Sequence, residues 1–127
     1  MTELKDIISV NTEDSLGEAW QKIDHESHSR FPVFGTSMHE VVGMVIKQDV
    51  IQALYEKQGG EPVTSIMREA LTVQSTMHSD ELISLFRDKH IHLAVVQEDG
   101  HTVGLVTLED VLEELVGEIE DETDVED

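Results

Sequence analysis

The sequence contains no cysteine, which excludes a disulfide framework, a thiol nucleophile and any metal site built on thiolates. It has only 8 lysines and arginines against 28 aspartates and glutamates, for a formal net charge of −20. Because basic side chains must neutralise phosphates when a protein binds nucleic acid or an anionic membrane surface, this balance argues against both partners. Apolar runs long enough to cross a bilayer and a signal-peptide pattern are also missing.

What the chain does contain is enough apolar material for a folded core. With 127 residues and 39% hydrophobic residues, it can bury one sizeable core or two small half-domains. The motifs of the common nucleotide hydrolases, metalloproteases and serine hydrolases are not found. The sequence therefore predicts a folded binding or regulatory module and not an enzyme.

An internal repeat organises the chain. The strand-to-helix stretch at residues 103–111 answers residues 42–50, and residues 92–96 answer residues 30–34. The shift between matching positions drifts only from 63 to 61 residues. Each unit predicts a strand, a helix, two strands and a second helix, with the boundary at the Gly- and Pro-containing break near residue 60.

This repeat predicts an α/β (α+β) fold of two units, residues 1–60 and 61–127. One unit alone would expose a face of its small sheet, so we expect the two to pack sheet to sheet around a pseudo-twofold axis. Such packing leaves a cleft on each side of the axis. Each cleft would be lined by the helix start of one unit and the first strands of the other.

The helix start at Thr107 and Asp110 admits two interpretations. The residues fit a capping box, in which the threonine hydroxyl and the acid satisfy free N–H groups of the first turn. The same residues lie where a cleft between the repeats is expected. A carboxylate accepts hydrogen bonds from hydroxyl groups, and a helix N-terminus favours an anion, so a ligand site is the alternative.

Three stretches resemble a known family. They read SRFPV at residues 29–33, SIMRE at 65–69 and GLVTLEDVLEELVGEIEDE at 104–122. The whole chain resembles a tandem pair of cystathionine-β-synthase (CBS) domains, also called a Bateman module. Within that superfamily, the three stretches are similar to the hemolysin-like CorC/HlyC magnesium and cobalt efflux proteins.

The resemblance implies that AMP or ATP binds between the repeats. In the family pattern, the threonine at position 107 contacts phosphate and the aspartate at position 110 holds the ribose hydroxyls. Arg30 would supply a cation for the phosphates, although a surface ion pair is its alternative role. The resemblance also implies that His28, Ser29 and Phe31 flank base and ribose, that Leu105 packs on the adenine, and that His92 lies near the phosphates.

The first repeat departs from the family pattern. Ile46 stands where Thr107 stands in the second repeat, while Asp49 is retained as the match of Asp110. We therefore expect one competent site and a weak or empty second cleft. The chain also begins Met1-Thr2-Glu3-Leu4 where the family has a pattern like M-T-P-R, which removes an arginine from that position.

The resemblance also implies partners and a location. It predicts a cytoplasmic module at the cytosolic face of a membrane, which forms a homodimer and regulates the membrane domain of a parent transporter. This stretch would then be either a fragment of such a protein or a stand-alone module. Glu109 and Asp110 weaken the anion site, so a cation should help, and Arg30 is the candidate for it. Mg²⁺ together with ATP is a further cofactor that we expect.

Two other functions are left open by the sequence. The many acids, which include Glu113 and Glu114, also suit a divalent-metal module that binds no nucleotide. A purely structural dimerisation module with empty clefts is the other alternative. The acidic run at residues 118–127 is typical of a solvated helix end or a disordered tail, and a cation-attracting surface is its sharper interpretation.

Overall fold

The computed structural model describes residues 1–3, 6–36 and 40–125, with side chains as far as residue 117. The elements in chain order are β1 (Thr2–Glu3), β2 (Val10–Asn11), α1 (Leu16–Ile23), β3 (Arg30–Phe34), β4 (Val41–Ile46), α2 (Lys47–Tyr55), a 3₁₀ turn (Val63–Ile66), β5 (Leu71–Gln74), α3 (Ser79–Lys89), β6 (Leu93–Glu98), β7 (His101–Thr107) and α4 (Leu108–Val125). Both halves follow the predicted order of strand, helix, two strands and helix.

The two halves build equivalent sheets. In the first half the strand order is β2-β3-β4, and in the second it is β5-β6-β7 with β1 added beside β7. The first pair of strands in each half is parallel and the second pair is antiparallel. The mixed α/β fold class predicted from the repeat is thus confirmed.

The registers identify matching residues. Arg30 lies opposite Ile46 across β3 and β4, and Leu93 lies opposite Thr107 across β6 and β7. Ile46 is therefore the structural match of Thr107, and Leu93 is the match of Arg30. The sequence comparison of residues 92–96 with residues 30–34 was wrong by one position, because it set His92 against Arg30. The cation at the start of the first hairpin thus has no equivalent in the second hairpin.

Three apolar clusters hold the molecule together. One lies under α1 and α2 in the first half, and one lies under α3 and α4 in the second half. The third joins the two sheets and consists of Met44, Leu93, Val95 and Leu105, with Ile7 and Ala70 packed beside it. This third cluster fits the predicted sheet-to-sheet packing, because its members come from strands of both halves.

The two halves also exchange short segments. Thr2 and Glu3 pair with Leu105 and Gly104 of the second half, while Arg68 forms a bridge with Met44 of the first half. The 3₁₀ turn at Val63–Ile66 packs in the first-half cluster although it lies beyond residue 60. The boundary at residue 60 accordingly stays a prediction.

Pro32 lies in β3, the central strand of its sheet. The Lys47 N–H donates to the Ser29 carbonyl oxygen, so residues 29, 31 and 33 make the hydrogen-bonded pairs with β4. The nitrogen of Pro32 therefore points to the other side, where β2 begins only opposite Val33. No strand needs an N–H at this position, so the central strand can contain a proline here.

The apolar faces of α2 and α4 are wider than the core requires. Val50 and Val111 are buried, but Ile51 and Tyr55 on α2 are 47% and 84% exposed. The residues that match them on α4, Leu112 and Val116, are 45% and 53% exposed. The helical periodicity of the sequence thus predicted the helices. It did not predict which of their apolar side chains the core covers.

Helix α4 continues to Val125, so the backbone of most of the acidic run is helical. The side chains of residues 118–125, and residues 126 and 127 altogether, lie outside the described part of the chain. Within that described part, none of the helices has the length and apolar content to span a membrane.

Close backbone contact at Gly43 makes its replacement costly. A Cβ at this position would lie 2.8 Å from the carbonyl oxygen of Arg68 and 2.6 Å from Cγ of Met67. We expect Gly43→Ala to lower the free energy of unfolding by about 1–3 kcal/mol, because the segment at Met67 and Arg68 must shift. Urea denaturation followed by circular dichroism measures this change.

The control variant is Gly117→Ala in α4, where a Cβ would meet none of the described atoms within 4 Å. This substitution should instead raise the free energy of unfolding, by about 0.5–1 kcal/mol, because alanine favours the helix. Equal effects of the two substitutions would contradict the importance of the close approach at Gly43.

Candidate functional site

Thr107 and Asp110 form a reciprocal cap at the junction of β7 and α4. The Asp110 N–H donates to Oγ1 of Thr107 at 3.2 Å, and the Thr107 N–H donates to Oδ2 of Asp110 at 3.4 Å. The predicted capping box is thereby confirmed. The second distance is long for a hydrogen bond to a carboxylate, so the Asp110 carboxylate is only weakly engaged by the cap.

A cavity of about 310 Å³ opens beside this cap. It is lined by residues at the start of β3 and at the start of α4, namely Ser27, His28, Ser29, Arg30, Thr107, Glu109, Asp110 and Glu113. A second cavity of about 100 Å³ shares His28, Arg30, Thr107 and Asp110 with the first. Together they form one cleft, which we call the Thr107 cleft, and both halves of the chain contribute to it.

The smaller cavity of the Thr107 cleft has an apolar wall among polar residues. Phe31, Leu93 and Leu105 line this cavity and are only 1%, 1% and 7% exposed, because they also belong to the cores. Phe31 packs in the first-half cluster, whereas Leu93 and Leu105 pack in the cluster between the sheets. The cleft therefore combines a buried apolar wall in the smaller cavity with a polar lining, the mouth, in the larger one.

All but one of the residues predicted for the site line this cleft. The exception is His92, which lines neither cavity, although its carbonyl oxygen accepts from the Leu108 N–H at 3.0 Å. A role for the His92 side chain stays a prediction. It receives no support from the placement of this residue.

Sequence reasoning did not place the N-terminal segment in the cleft. Thr2, Asp6 and Ile7 line the smaller cavity, because β1 pairs with β7 next to Leu105. One signal was available, since Met1-Thr2-Glu3 repeats the pattern Met67-Arg68-Glu69 before the second unit. The pairing of each of these segments with the opposite half is a property of the tertiary structure.

The charges at the mouth are unbalanced. Nη1 of Arg30 lies 3.6 Å from Oε1 of Glu109, and the Arg30 side chain is 21% exposed. Three carboxylates, those of Glu109, Asp110 and Glu113, line the same cavity as this arginine. The N-terminus of α4 and Arg30 attract an anion, while these acids oppose a high negative charge.

The equivalent position in the first half has lost its cap. Helix α2 begins after Ile46, and no side chain caps it. The expected loss of the hydroxyl and of its hydrogen bond is confirmed, and the fold accommodates it. Whether the second cleft stays empty remains a prediction.

Metal ligands are not clustered in the described side chains. Among these residues, no group of three or more histidines, aspartates and glutamates is arranged so that it could hold a metal ion. The alternative of a metal module without nucleotide therefore gains no ligand set from the part of the molecule that can be described.

Comparison with known proteins gives the family. The model of the CBS domain matches residues 1–56 and again residues 63–117. The chain belongs to the CBS domain family. It does so as a tandem pair, in agreement with the duplication and with the resemblance seen in the sequence. This is a regulatory family and not an enzyme family.

The relatives of this CBS pair include magnesium and cobalt efflux proteins. The chain is 40% identical over 87% of its length to UPF0053 protein sll1254 of Synechocystis, and 37% identical over 93% to the magnesium and cobalt efflux protein CorC of Buchnera aphidicola. It covers only 32% and 41% of these two proteins. The CorC/HlyC resemblance is confirmed at the level of homology.

Solved structures agree with this assignment. The CBS domain of a bacterial CNNM/CorC family Mg²⁺ transporter in complex with ATP is 33% identical to the chain, with a TM-score of 0.85. The match covers 92% of this chain and 84% of that one. This CBS pair thus shares its fold with a domain that binds ATP.

Removal of the cap should have a measurable cost in stability. We expect Thr107→Val to lower the free energy of unfolding by about 1 kcal/mol, because the Asp110 N–H loses its acceptor. Thermal unfolding without nucleotide measures this cost. Thr107→Ser is the matched control and should stay close to the wild type, because it keeps the hydroxyl. Equal losses in both variants would show that the hydroxyl does not act as the cap.

Proposed function

We propose that this CBS pair is a regulatory module that binds an adenine nucleotide, AMP or ATP, in the Thr107 cleft. The observation that carries the proposal is the meeting of Thr107 and Asp110 from one half with Arg30 from the other half around a single cavity. A hydroxyl, a carboxylate and a guanidinium are the groups that suit a phosphate next to a ribose. The ATP complex of the related CorC-family domain supports the choice of ligand.

In the proposed complex each end of the cleft takes one part of the nucleotide. The carboxylate of Asp110 accepts hydrogen bonds from the ribose hydroxyls, and the weak 3.4 Å cap contact leaves it available for them. The Thr107 hydroxyl, the first turn of α4 and Arg30 hold the phosphate. The adenine packs against the apolar wall at Leu105 and Phe31.

We extend the proposal to Mg²⁺ as the companion of ATP. Glu109 and Glu113 line the cavity at its mouth, and Arg30 is the one arginine among the lining residues. A triphosphate carries more negative charge than a monophosphate, so repulsion by these acids penalises ATP more. Mg²⁺ bound through phosphates and one or two carboxylates removes this penalty.

The regulated partner is proposed from the relatives. The chain spans about a third to two fifths of the curated transporter-family proteins that it matches, so it corresponds to one part of such a protein. We propose that it is the cytosolic sensor of a CorC/HlyC-type divalent-cation transporter. A ligand that contacts both halves stabilises one relative arrangement of them. The membrane domain would respond to this change in arrangement.

A second copy of the chain is the proposed partner of the outer faces of α2 and α4. The exposed residues Ile51 and Tyr55 on α2 match Leu112 and Val116 on α4 by the internal symmetry. Two apolar stripes related in this way suit a twofold interface, in which the same surfaces meet in both subunits. We therefore retain the homodimer, with these four residues at its centre.

Replacement of Asp110 should abolish nucleotide binding. We expect AMP and ATP to bind the wild type in calorimetric titrations, and Asp110→Ala to lose this binding, because the ribose hydroxyls lose their acceptor. Glu114→Ala, on the same helix but outside the cavity lining, is the control and should bind like the wild type. Titration of ATP with and without Mg²⁺ reports the contribution of the cation.

The same titrations separate the alternatives. A wild type that responds to Mg²⁺ or Mn²⁺ but to neither nucleotide would favour the metal module. A wild type that responds to none of these ligands would favour the structural dimer. Either result contradicts the proposed function.

Acidic substitutions in the exposed stripes should separate the dimer. We expect Tyr55→Glu and Leu112→Glu to shift the protein towards the monomer in sedimentation-velocity experiments, because each places a charge in an apolar contact. Val42→Glu is the control, since Val42 is also 40% exposed but lies on β4. A monomeric wild type, or a dimer insensitive to both substitutions, would contradict this interface.

A further inference from the structure

Two short segments cross to the opposite half, one containing Thr2 and the other containing Arg68. There they pair with equivalent residues. Thr2 pairs with Leu105, and Arg68 bridges Met44, which is the match of Leu105 at a shift of 61 residues. The carbonyl oxygen of Thr2 lies against Gly104, and that of Arg68 lies against Gly43. Thr2 and Arg68 are therefore structural counterparts.

The side chains of Thr2 and Arg68 differ in the groups that they can contact. The Arg68 guanidinium holds the carboxylate of Asp49 through two hydrogen bonds, Nε to Oδ2 at 2.8 Å and Nη2 to Oδ1 at 3.2 Å. Asp49 is the match of Asp110. Thr2 lines the cavity that also contains Asp110, but a threonine side chain has no cationic group and ends one bond beyond Cβ.

The backbone of Arg68 is firmly anchored, which fixes the start of its side chain. Its N–H donates to the Met44 carbonyl oxygen at 2.8 Å, and its own carbonyl oxygen accepts from the Met44 N–H at 2.8 Å. The side chain itself is 57% exposed and Asp49 is 28% exposed. The guanidinium thus covers Asp49 from the solvent side, with both carboxylate oxygens engaged.

A cavity of about 380 Å³, which we call the Asp49 cleft, lies beside α2 and is lined by Asp49, Met67 and Arg68 among others. We propose that Arg68 acts as a built-in occupant of this cleft, and that the residue at the Thr2/Arg68 position decides which cleft is open to a ligand. The inference rests on the proposed function, because it names the residue that restricts nucleotide to the Thr107 cleft. An arginine here takes both oxygens of the aspartate that a ribose would need. A threonine here leaves that aspartate free.

The other differences between the clefts agree with this role. Ile46 replaces Thr107, so the Asp49 cleft has no hydroxyl at its helix start. Leu93 replaces Arg30, so the second hairpin has no arginine at the position that faces the helix start. In the Thr107 cleft the arginine is Arg30 on β3, which makes a single ion pair of 3.6 Å with Glu109. In the Asp49 cleft it is Arg68 on the crossing segment, which is bound to Asp49.

Transfer of the arginine to the Thr107 cleft provides the first test. We expect Thr2→Arg to weaken calorimetric binding of AMP and of adenosine by about the same factor, roughly fivefold, because either ligand must displace an exposed ion pair to Asp110. The use of adenosine removes the phosphate from the comparison. An added arginine that stays free would instead strengthen the binding of AMP and leave adenosine unchanged.

The second test measures the clamp without nucleotide. In a double-mutant cycle of Asp49→Asn and Arg68→Thr, the two substitutions should be coupled by about two- to fivefold in the equilibrium constant of unfolding. Arg87→Thr replaces Arg68→Thr in the control cycle and should show no coupling with Asp49, because Arg87 pairs with Asp88 on α3.

Each outcome bears on a different step. Coupling in the cycle together with weaker binding in Thr2→Arg supports the proposal. A cycle without coupling overturns it, as does a Thr2→Arg variant that binds AMP as well as the wild type or better. A wild type that binds no nucleotide overturns the proposed function and the assignment of the open cleft, whereas the cycle still decides whether Arg68 clamps Asp49.

Discussion

The close passage of backbone over Gly43 and Gly104 is the constraint on which the rest of the structure depends. Each glycine faces the carbonyl oxygen of a segment from outside its own hairpin, so neither position has room for a side chain. These two contacts, together with the cluster at Met44, Val95 and Leu105, tie the halves into one molecule. The Thr107 cleft exists because the halves are held in this arrangement.

The same helix start caps α4 and lines the proposed binding site. Thr107 and Asp110 satisfy two N–H groups of α4, and the mutual contacts of 3.2 and 3.4 Å are long enough to yield to a better partner. Ile46 shows that the fold tolerates the loss of such a cap. A capping box and the proposed ligand site are therefore compatible at Thr107.

Duplication created two similar clefts, and charge makes them different. In the Thr107 cleft, Nη1 of Arg30 lies 3.6 Å from Oε1 of Glu109, and Arg30 remains able to pair with an anion. In the Asp49 cleft, Arg68 binds both oxygens of the aspartate. In a chain with a net charge of −20, we propose that the position of this one arginine decides which cleft is open to a nucleotide.

The sequence by itself determined the repeat, the order of the elements, the cap at Thr107 and the loss of its match at Ile46, because periodicity and capping chemistry are local. It also predicted part of the cleft lining, including both the helix start and Arg30, through the resemblance to CBS domains. The tertiary structure alone decided that Thr2 and Arg68 cross to the opposite half and that His92 stays outside the cavities. It alone also decided that Ile51, Tyr55, Leu112 and Val116 remain exposed. Pairing between distant segments and the extent of burial depend on how the halves pack, and no local pattern encodes that packing.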